Sequence, residues 1–571
     1  MLALRQTARA SSLAYGEKEQ PTNRSPGKGL PSFGDDSRKV RVSRSLKNIS
    51  IVSTATMASR VLGLLRESLT AAVFGTSALA SAFYTAFTLP NLFRRLLGEG
   101  ALTAAFIPTL TAELELKRRE SALALVSQVA TWLFVISAAI VGVVLLMLTQ
   151  AEALGALAQR WGTEPETVAR WVQAARLAMI LFPYMIFVCA AAAFSAALQT
   201  LGRFLEPALS PIWLNCAMIG LLSGAVCFDW GEGDAGRMHW LCGGVLLGGF
   251  LQLAVPAAAL IQEGWRPRFD LRRSEPVRAI LRLMGPTIFG SAIYLVNMAV
   301  SRFVGLSLND AAATVLQLAT RVMELPIGVF AVAVSTVVFP LIARYAALQD
   351  WPGLGAAYRR GMRLILVINI PAAVGLVVLA EPIVRVLFQR GAFHASDTAL
   401  MVPVFAAYAV GLPFFSFVNL ALRAFYAQQD TATPVRAAAL SFAVNLGLSL
   451  ALMRPLSTVG LALASSVAIV VQAWYLQTHL ARRHHEFAFD HLVPTVLKVC
   501  VAAAIMGLLV VAGRYGLRYV AGRGVWSDLL ALGGLIPFGT AAYGVILWKM
   551  NVEGVEELQA LLQRWRVKTG N

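Results

Sequence analysis

From Asn48 onward, long apolar stretches alternate with short polar breaks. Fourteen runs stand out, at 49–75, 78–97, 122–149, 171–199, 207–228, 238–262, 277–304, 311–343, 362–388, 398–424, 434–453, 456–480, 492–513 and 526–548. Each is near or above the ~20 residues an α-helix needs to cross a ~30 Å hydrocarbon core. The runs lack the alternation of barrel strands, so helices are the spanning element. The pattern predicts an all-α polytopic membrane protein with about 14 transmembrane helices. Residues 1–48 break it: they are rich in Ser, Pro and Gly and hold ten Lys/Arg against four acids. No apolar run follows their first arginines, so they do not read as a signal peptide. They read as a disordered basic tail or as residues upstream of the true start.

Composition agrees with the pattern. Of 571 residues, 57% are hydrophobic and 14% charged, with a mean hydropathy of +0.65. Soluble domains carry about 25% charged residues, so a soluble chain of this size could not solvate its surface. The net charge of +18 would suggest nucleic acid in a soluble protein. Here the cations fall in alternate breaks, so no nucleic-acid partner is expected. Arg266, Arg268, Arg272, Arg273, Arg278 and Arg282 occupy 263–282; Arg344, Arg359, Arg360 and Arg363 occupy 344–363. Lys117, Arg118 and Arg119, together with Arg482 and Arg483, share that side. The positive-inside rule then places both termini in the cytoplasm, with 549–571 as a cytoplasmic tail.

Charges inside the runs carry the functional signal, because they are costly there and face a cavity or a partner. Arg60 lies about 12 residues past the start of its run, roughly 18 Å deep at 1.5 Å per residue. Arg60 and Glu67, seven apart, share about one helix face, and Arg66 points elsewhere. Arg95 and Glu99 are i, i+4 partners after Pro90, with Arg94 beside them. Arg321 sits near mid-run with Glu324 at i, i+3. Five cations, Arg60, Arg66, Arg94, Arg95 and Arg321, therefore face three acids, Glu67, Glu99 and Glu324. Surplus guanidinium at membrane depth calls for an anionic visitor, and its planar fork suits phosphate. The residues alone imply a transporter of a phosphorylated or carboxylated anion.

Other constellations are bland. There is no GxxxxGK[ST] and no HExxH, and the five cysteines form no CxxC pair. Gly391 suits a tight turn and Arg390 a contact between halves. Asp430, ahead of Thr431 and Pro434, suits a helix start.

Several stretches resemble the MurJ (MviN) lipid II flippases. They are ASRVLGLLRESLTAAVFG and AFYTAFTLPNLFRRLLGEGALTAAFIPTL within 58–110, FLEPALSPIWLN (204–215), ATRVMELPIGVFAVAVSTVVFP (319–340), RVLFQRGAFHASDT (385–398) and RAFYAQQDTATPV (423–435). They run in order through about 48–550. The resemblance implies the fold of the multidrug/oligosaccharidyl-lipid/polysaccharide exporter superfamily. Two six-helix lobes, 49–262 and 277–480, would enclose a cationic cavity, and helices within 492–548 would form a groove for a lipid tail.

The resemblance further implies transfer of lipid II, an undecaprenyl-diphosphate-linked precursor, across the bacterial cytoplasmic membrane by alternating access and without covalent chemistry. Arg60, Arg66, Arg94, Arg95 and Arg321 match the family's binding arginines, and Glu67, Glu99 and Glu324 would be gates or counter-ions. Membrane lipids and the cell-wall synthesis and division machinery are the implied partners. This chain departs from the family at Ser81 and Thr320, where relatives carry Asp, and at Glu67, which replaces a common Asp. Some relatives hold a cation between the seventh and eleventh spans; here those spans carry Asn297 and Asn445 and no acid. No cofactor is expected. The sequence does not support monovalent-cation coupling, and the membrane potential is the cheaper source, since a charge moved through 100 mV gains ~2.3 kcal/mol. A flippase for another polyprenyl-diphosphate saccharide would use the same arginines. A cation-coupled multidrug exporter would want embedded carboxylates without the arginine surplus, and a division scaffold leaves the arginines unexplained.

Overall fold

The computed structural model describes residues 35–94, 101–489, 492–522 and 524–552, with backbone alone for 35–50, 285–295 and most of 325–339. The described residues from Ile51 onward form one compact unit, separate from those up to Ser50. Among the described residues every regular element is a helix. The first, α1 (Asp35–Phe74), begins earlier than the expected tail boundary, so 35–48 is helical; residues 1–34 lie outside the described residues.

The following elements show how local chemistry sets each break. Gly75, at φ +57°, ends α1, and the Ser77 hydroxyl caps α2 (Ala78–Phe93) by accepting from the Ala80 N–H at 3.3 Å. Next come α3 (Ala101–Leu116), α4 (Arg119–Leu148) and the short α5 (Ala151–Arg160). The expected run 171–199 is two helices, α6 (Pro165–Leu181) and α7 (Tyr184–Thr200), bent by 45°. Pro183 at the break supplies no backbone donor there. Then α8 (Leu205–Cys227) and α9 (Gly233–Gln262) pack closely. A Cβ at Gly244 or Gly248 would fall 2.8 Å from the Cα of Met218 or Leu214, so small residues let these backbones meet.

The chain continues with α10 (Glu275–Leu308), α11 (Ala312–Ala347), α12 (Trp351–Val378), the short α13 (Ala380–Phe388) and α14 (Ala395–Ala427). Runs 434–453 and 456–480 lie in one element, α15 (Ala432–Arg483), broken at Ser457 (φ 50°, ψ −134°) just after Pro455. At its start Asp430 accepts from the N–H groups of Ala432 and Thr433, both at 3.0 Å, as its position suggests. The chain closes with α16 (Val493–Ala521), α17 (Val525–Leu530), one π-turn, and α18 (Ile536–Lys549).

Eight of the described helices are long and apolar enough to cross a membrane, or nine if the bent α6–α7 pair is one span. The chain is thus a multi-pass membrane protein. Among the described residues every run found in the sequence coincides with helix, although α1, α2, α10 and α11 are not among those eight. These four supply the arginines of the site described below.

Packing ties the halves together at both ends. Near the basic breaks, Leu102, Phe106 and Leu110 of α3 share a core with Val277, Ile280 and Met284 of α10. At the other end, Phe74, Phe83 and Leu181 share a core with Leu306, Leu318, Phe393 and Phe405. The α16–α18 pair packs on α12 through Val499, Met506, Val367 and Leu379, and the Tyr543 hydroxyl donates to the Val367 carbonyl at 2.8 Å.

Candidate functional site: a cationic cavity

Between these two sets of contacts lies a cavity of about 470 Å³, built from α1, α2, α8, α10 and α11. Five arginines line it: Arg60, Arg66, Arg94, Arg302 and Arg321. Among the described residues the one acid on its wall is Glu324. Hydroxyls and amides of Thr56, Ser59, Thr88, Asn91, Asn215 and Gln317 supply most of the remaining polarity.

Each arginine is held in its own way. Arg60 donates from Nη1 to the backbone carbonyl of Glu324 at 3.1 Å, a contact from α1 to α11 across the cavity. Arg66 is buried and reaches Asn215 Oδ1 at 3.1 Å, while its Nη2 lies 2.5 Å from Glu67 Oε1. Asn215 Nδ2 in turn donates to the Ser59 carbonyl at 3.2 Å, returning the network to α1. Arg94 donates from Nε to Asn91 Oδ1 at 2.8 Å. Arg321 pairs with Glu324 at 2.7 Å. The Nη2 end of its guanidinium presses against α1, since a Cβ at Gly63 would fall 1.8 Å from it. The fit therefore depends on a residue without a side chain.

The face expected for α1 needs correction. Periodicity groups Arg60 with Glu67 and sets Arg66 apart, whereas it is Arg66 that joins Arg60 on the cavity wall. Glu67 is fully buried behind it, accepting from the Tyr84 hydroxyl at 2.6 Å as well as from Arg66. A buried carboxylate needs a complete set of donors, and Tyr84 with Arg66 supplies them. Arg95 and Glu99 lie outside the described residues.

Sequence reasoning missed Arg302. Its Nη2 donates to Gln317 Oε1 at 2.7 Å and its Nη1 to the Ala313 carbonyl at 3.3 Å. Among the described residues it makes no carboxylate pair. The available signal is an arginine within the apolar run 277–304, near its end.

The contacts at the end away from the basic breaks also differ from expectation. Ser81 donates to the Asp310 carbonyl and lies 3.0 Å from the Thr314 hydroxyl. Arg170 of α6 clasps the same corner: Nε donates to the Leu306 carbonyl at 3.0 Å and Nη1 to Asp310 Oδ1 at 3.0 Å. Thr76 donates to Asp397 Oδ1 at 2.6 Å, and the Ala392 N–H donates to the Ala72 carbonyl at 2.7 Å. The carboxylates here thus come from the second half, at Asp310 and Asp397. Gly391 makes its tight turn, at φ +57°, against the Ala72 carbonyl. Arg390, two residues past the end of α13, donates back to the Val386 carbonyl of that helix rather than across to the first half. Asn297 and Asn445 come together, with Asn445 Nδ2 donating to Asn297 Oδ1 at 2.7 Å. Among the described residues no group of three His, Cys, Asp or Glu side chains gathers as a metal site.

This fold is shared with known transporters. A solved inward-facing MATE multidrug transporter of the MOP superfamily aligns with 76% of this chain and 98% of its own length, with a TM-score of 0.59 at 15% identity. More specifically, a family model described as lipid II flippase MurJ matches residues 70–527, and the chain belongs to that family. A probable lipid II flippase MurJ of Rhizobium tropici is 33% identical over 506 residues, 88% of this chain and 91% of the relative. One from Vibrio cholerae is 31% identical over 540 residues, 90% of this chain and 98% of the relative. A solved lipid II flippase MurJ in an inward closed conformation aligns with a TM-score of 0.69 at 26% identity, covering 87% of this chain and 97% of that one.

Proposed function

We propose that this protein moves lipid II from the inner to the outer leaflet of a bacterial cytoplasmic membrane by alternating access, with both termini in the cytoplasm. The observation that carries the reading is one cavity with five arginines and a single lining acid among the described residues. A diphosphate offers the charge and the oxygen geometry that such a surplus lacks. Arg60, Arg66, Arg94 and Arg321 grip it, with Arg95 and Glu99 adjacent in sequence. Glu67 fixes Arg66 in place, and Glu324 is the counter-ion that Arg321 exchanges for the substrate.

The two halves rock about this site, and the driving force is the membrane potential acting on the charges that move. The neutral Asn297–Asn445 contact supports that choice over a bound cation. Complementation in cells depleted of their own lipid II flippase tests the assignment. Wild type is expected to rescue growth, and Arg60→Ala, Arg66→Ala and Arg321→Ala are expected to insert into the membrane without rescuing. Rescue by all three variants would sink the site. Failure of inserted wild type to rescue would favour another polyprenyl-diphosphate saccharide.

A further inference from the structure

Arg302 is a permanent cation in the cavity wall, 6% exposed, yet among the described residues its side chain donates to two neutral oxygens. One is the side chain of Gln317. The other is the Ala313 carbonyl, in the first turn of α11. That turn is where the two halves are latched at the end away from the basic breaks. Thr314, the next residue, offers its N–H to Ser81 Oγ at 3.2 Å and its hydroxyl at 3.0 Å. Ser81 also donates to the Asp310 carbonyl, and Arg170 holds Leu306 and Asp310. Leu306 lies four residues beyond Arg302, about one helical turn. Arg302 therefore touches the cavity with one side and the latched α10–α11 corner with the other.

We infer that Arg302 couples anion binding in the cavity to release of this latch. The coupling deepens the reading above and rests on a diphosphate being the visitor. A guanidinium held by neutral carbonyl oxygens exchanges favourably for phosphate oxygens, because these bring the opposite charge, and with it a Coulomb attraction, that a neutral carbonyl lacks. An anion that draws Arg302 toward the cavity removes its bond to the Ala313 carbonyl. The corner then loses the brace that keeps Thr314 and Asp310 opposite Ser81 and Arg170. A ligand shifts a conformational equilibrium only through a contact that differs between the two states, and Arg302 supplies one. Arg302 is thus a positioning residue: its effect on opening passes through the corner.

The test places spin labels on Glu166→Cys and Ser396→Cys, exposed positions in the two halves at the latched end, with exposed Cys216, Cys227 and Cys500 replaced by serine. The full chain in lipid nanodiscs is measured with and without farnesyl diphosphate. The unmodified cavity is expected to show a short label distance alone and a longer-distance population with the probe. Arg302→Gln is expected to show the longer population without probe and to respond at least tenfold less to it. Arg302→Lys keeps the charge but lacks the fork that reaches both oxygens, and should fall between the two; it stands in if the glutamine variant does not fold. Arg302→Gln that is closed alone would overturn the inference, whether or not it then opens with the probe.

Binding of the probe by wild type and by Arg60→Ala is measured alongside. Equal affinity in both, or none in either, would sink the diphosphate reading. The probe-free comparison would still decide whether Arg302 braces the corner.

Discussion

Two arginine clusters in this protein have similar ingredients and opposite balance. In the cavity, among the described residues, five arginines meet one lining acid, with Glu67 behind Arg66. Between α13, α16 and α17, among the described residues, three arginines meet two acids. Glu381 accepts from Arg514 and, at 2.8 Å, from Arg518, and Arg385 lies 3.2 Å from Asp528. The second cluster nearly neutralises itself and clasps the C-terminal helices to α13. The first leaves charge over, and its arginines lean on carbonyls and amides that a stronger acceptor can displace. Arginine content alone does not separate a binding site from a structural clasp; the shortage of acids does.

The comparison breaks most visibly at Arg60 and Arg321. Alanine at either should lower transport by at least about 100-fold, read as lipid II reaching the outer leaflet of proteoliposomes, with membrane insertion intact. Removing one charge-assisted hydrogen bond costs roughly 1.5–3 kcal/mol, and tenfold is 1.4 kcal/mol. Two such bonds removed at once reach that range, since each of these arginines also braces α1 against α11.

Gly63→Ala should reduce transport by about tenfold by pushing the Arg321 guanidinium off α1. Because the clashing atom is the end of a flexible side chain, melting temperature should hardly move. A stability loss with normal transport would show that Arg321 packs there without working there. Glu381→Gln should do the reverse. It strips Arg514 and Arg518 of their shared acid, so the melting temperature should fall by several degrees while transport changes less than threefold.

The smallest effect belongs to Asp430, outside the membrane-spanning part. Burial raises its carboxyl pKa, but hydrogen bonds from Thr433 and Arg483 outweigh this and hold it below the ordinary value. A depressed carboxylate stabilises the fold above its unfolded pKa of about 4, and that contribution is lost as pH falls through the folded value. Asp430→Asn should therefore cost about 1 kcal/mol at pH 7, and its melting temperature should begin to converge with wild type as pH falls below about 4, meeting it only below the depressed folded value.

Helices were legible from the sequence because apolar runs report spans directly. Even the α15 break showed, through Arg454 and Pro455 between two runs. The α6–α7 bend did not, since one proline inside an apolar run marks a bend only once neighbouring packing is known. In the site, Arg60, Arg66, Arg94 and Arg321 stood out as charges inside apolar runs, each with an acid within seven residues. Arg302 has no such acid, and its partner Gln317 is fifteen residues away. The Arg170–Asp310 clasp joins residues 140 apart, which no local spacing can reveal. The wrong face given to Glu67 has the same root. Helical periodicity places its Cβ, whereas the Tyr84 hydroxyl on another helix decides where its carboxylate goes.

The corner at 387–392 is largely main chain against main chain. The Ala392 N–H meets the Ala72 carbonyl, Ser68 donates to the Leu387 carbonyl at 2.5 Å, and no Cβ fits at Gly391. Every amino acid except proline carries the same amide, so substitution cannot easily redraw this surface. On the topology proposed above this corner faces outward, and an inhibitor that recognised it would have no bilayer to cross. Resistance to it would be slow to arise, because changes that spoil its footing also spoil the seal.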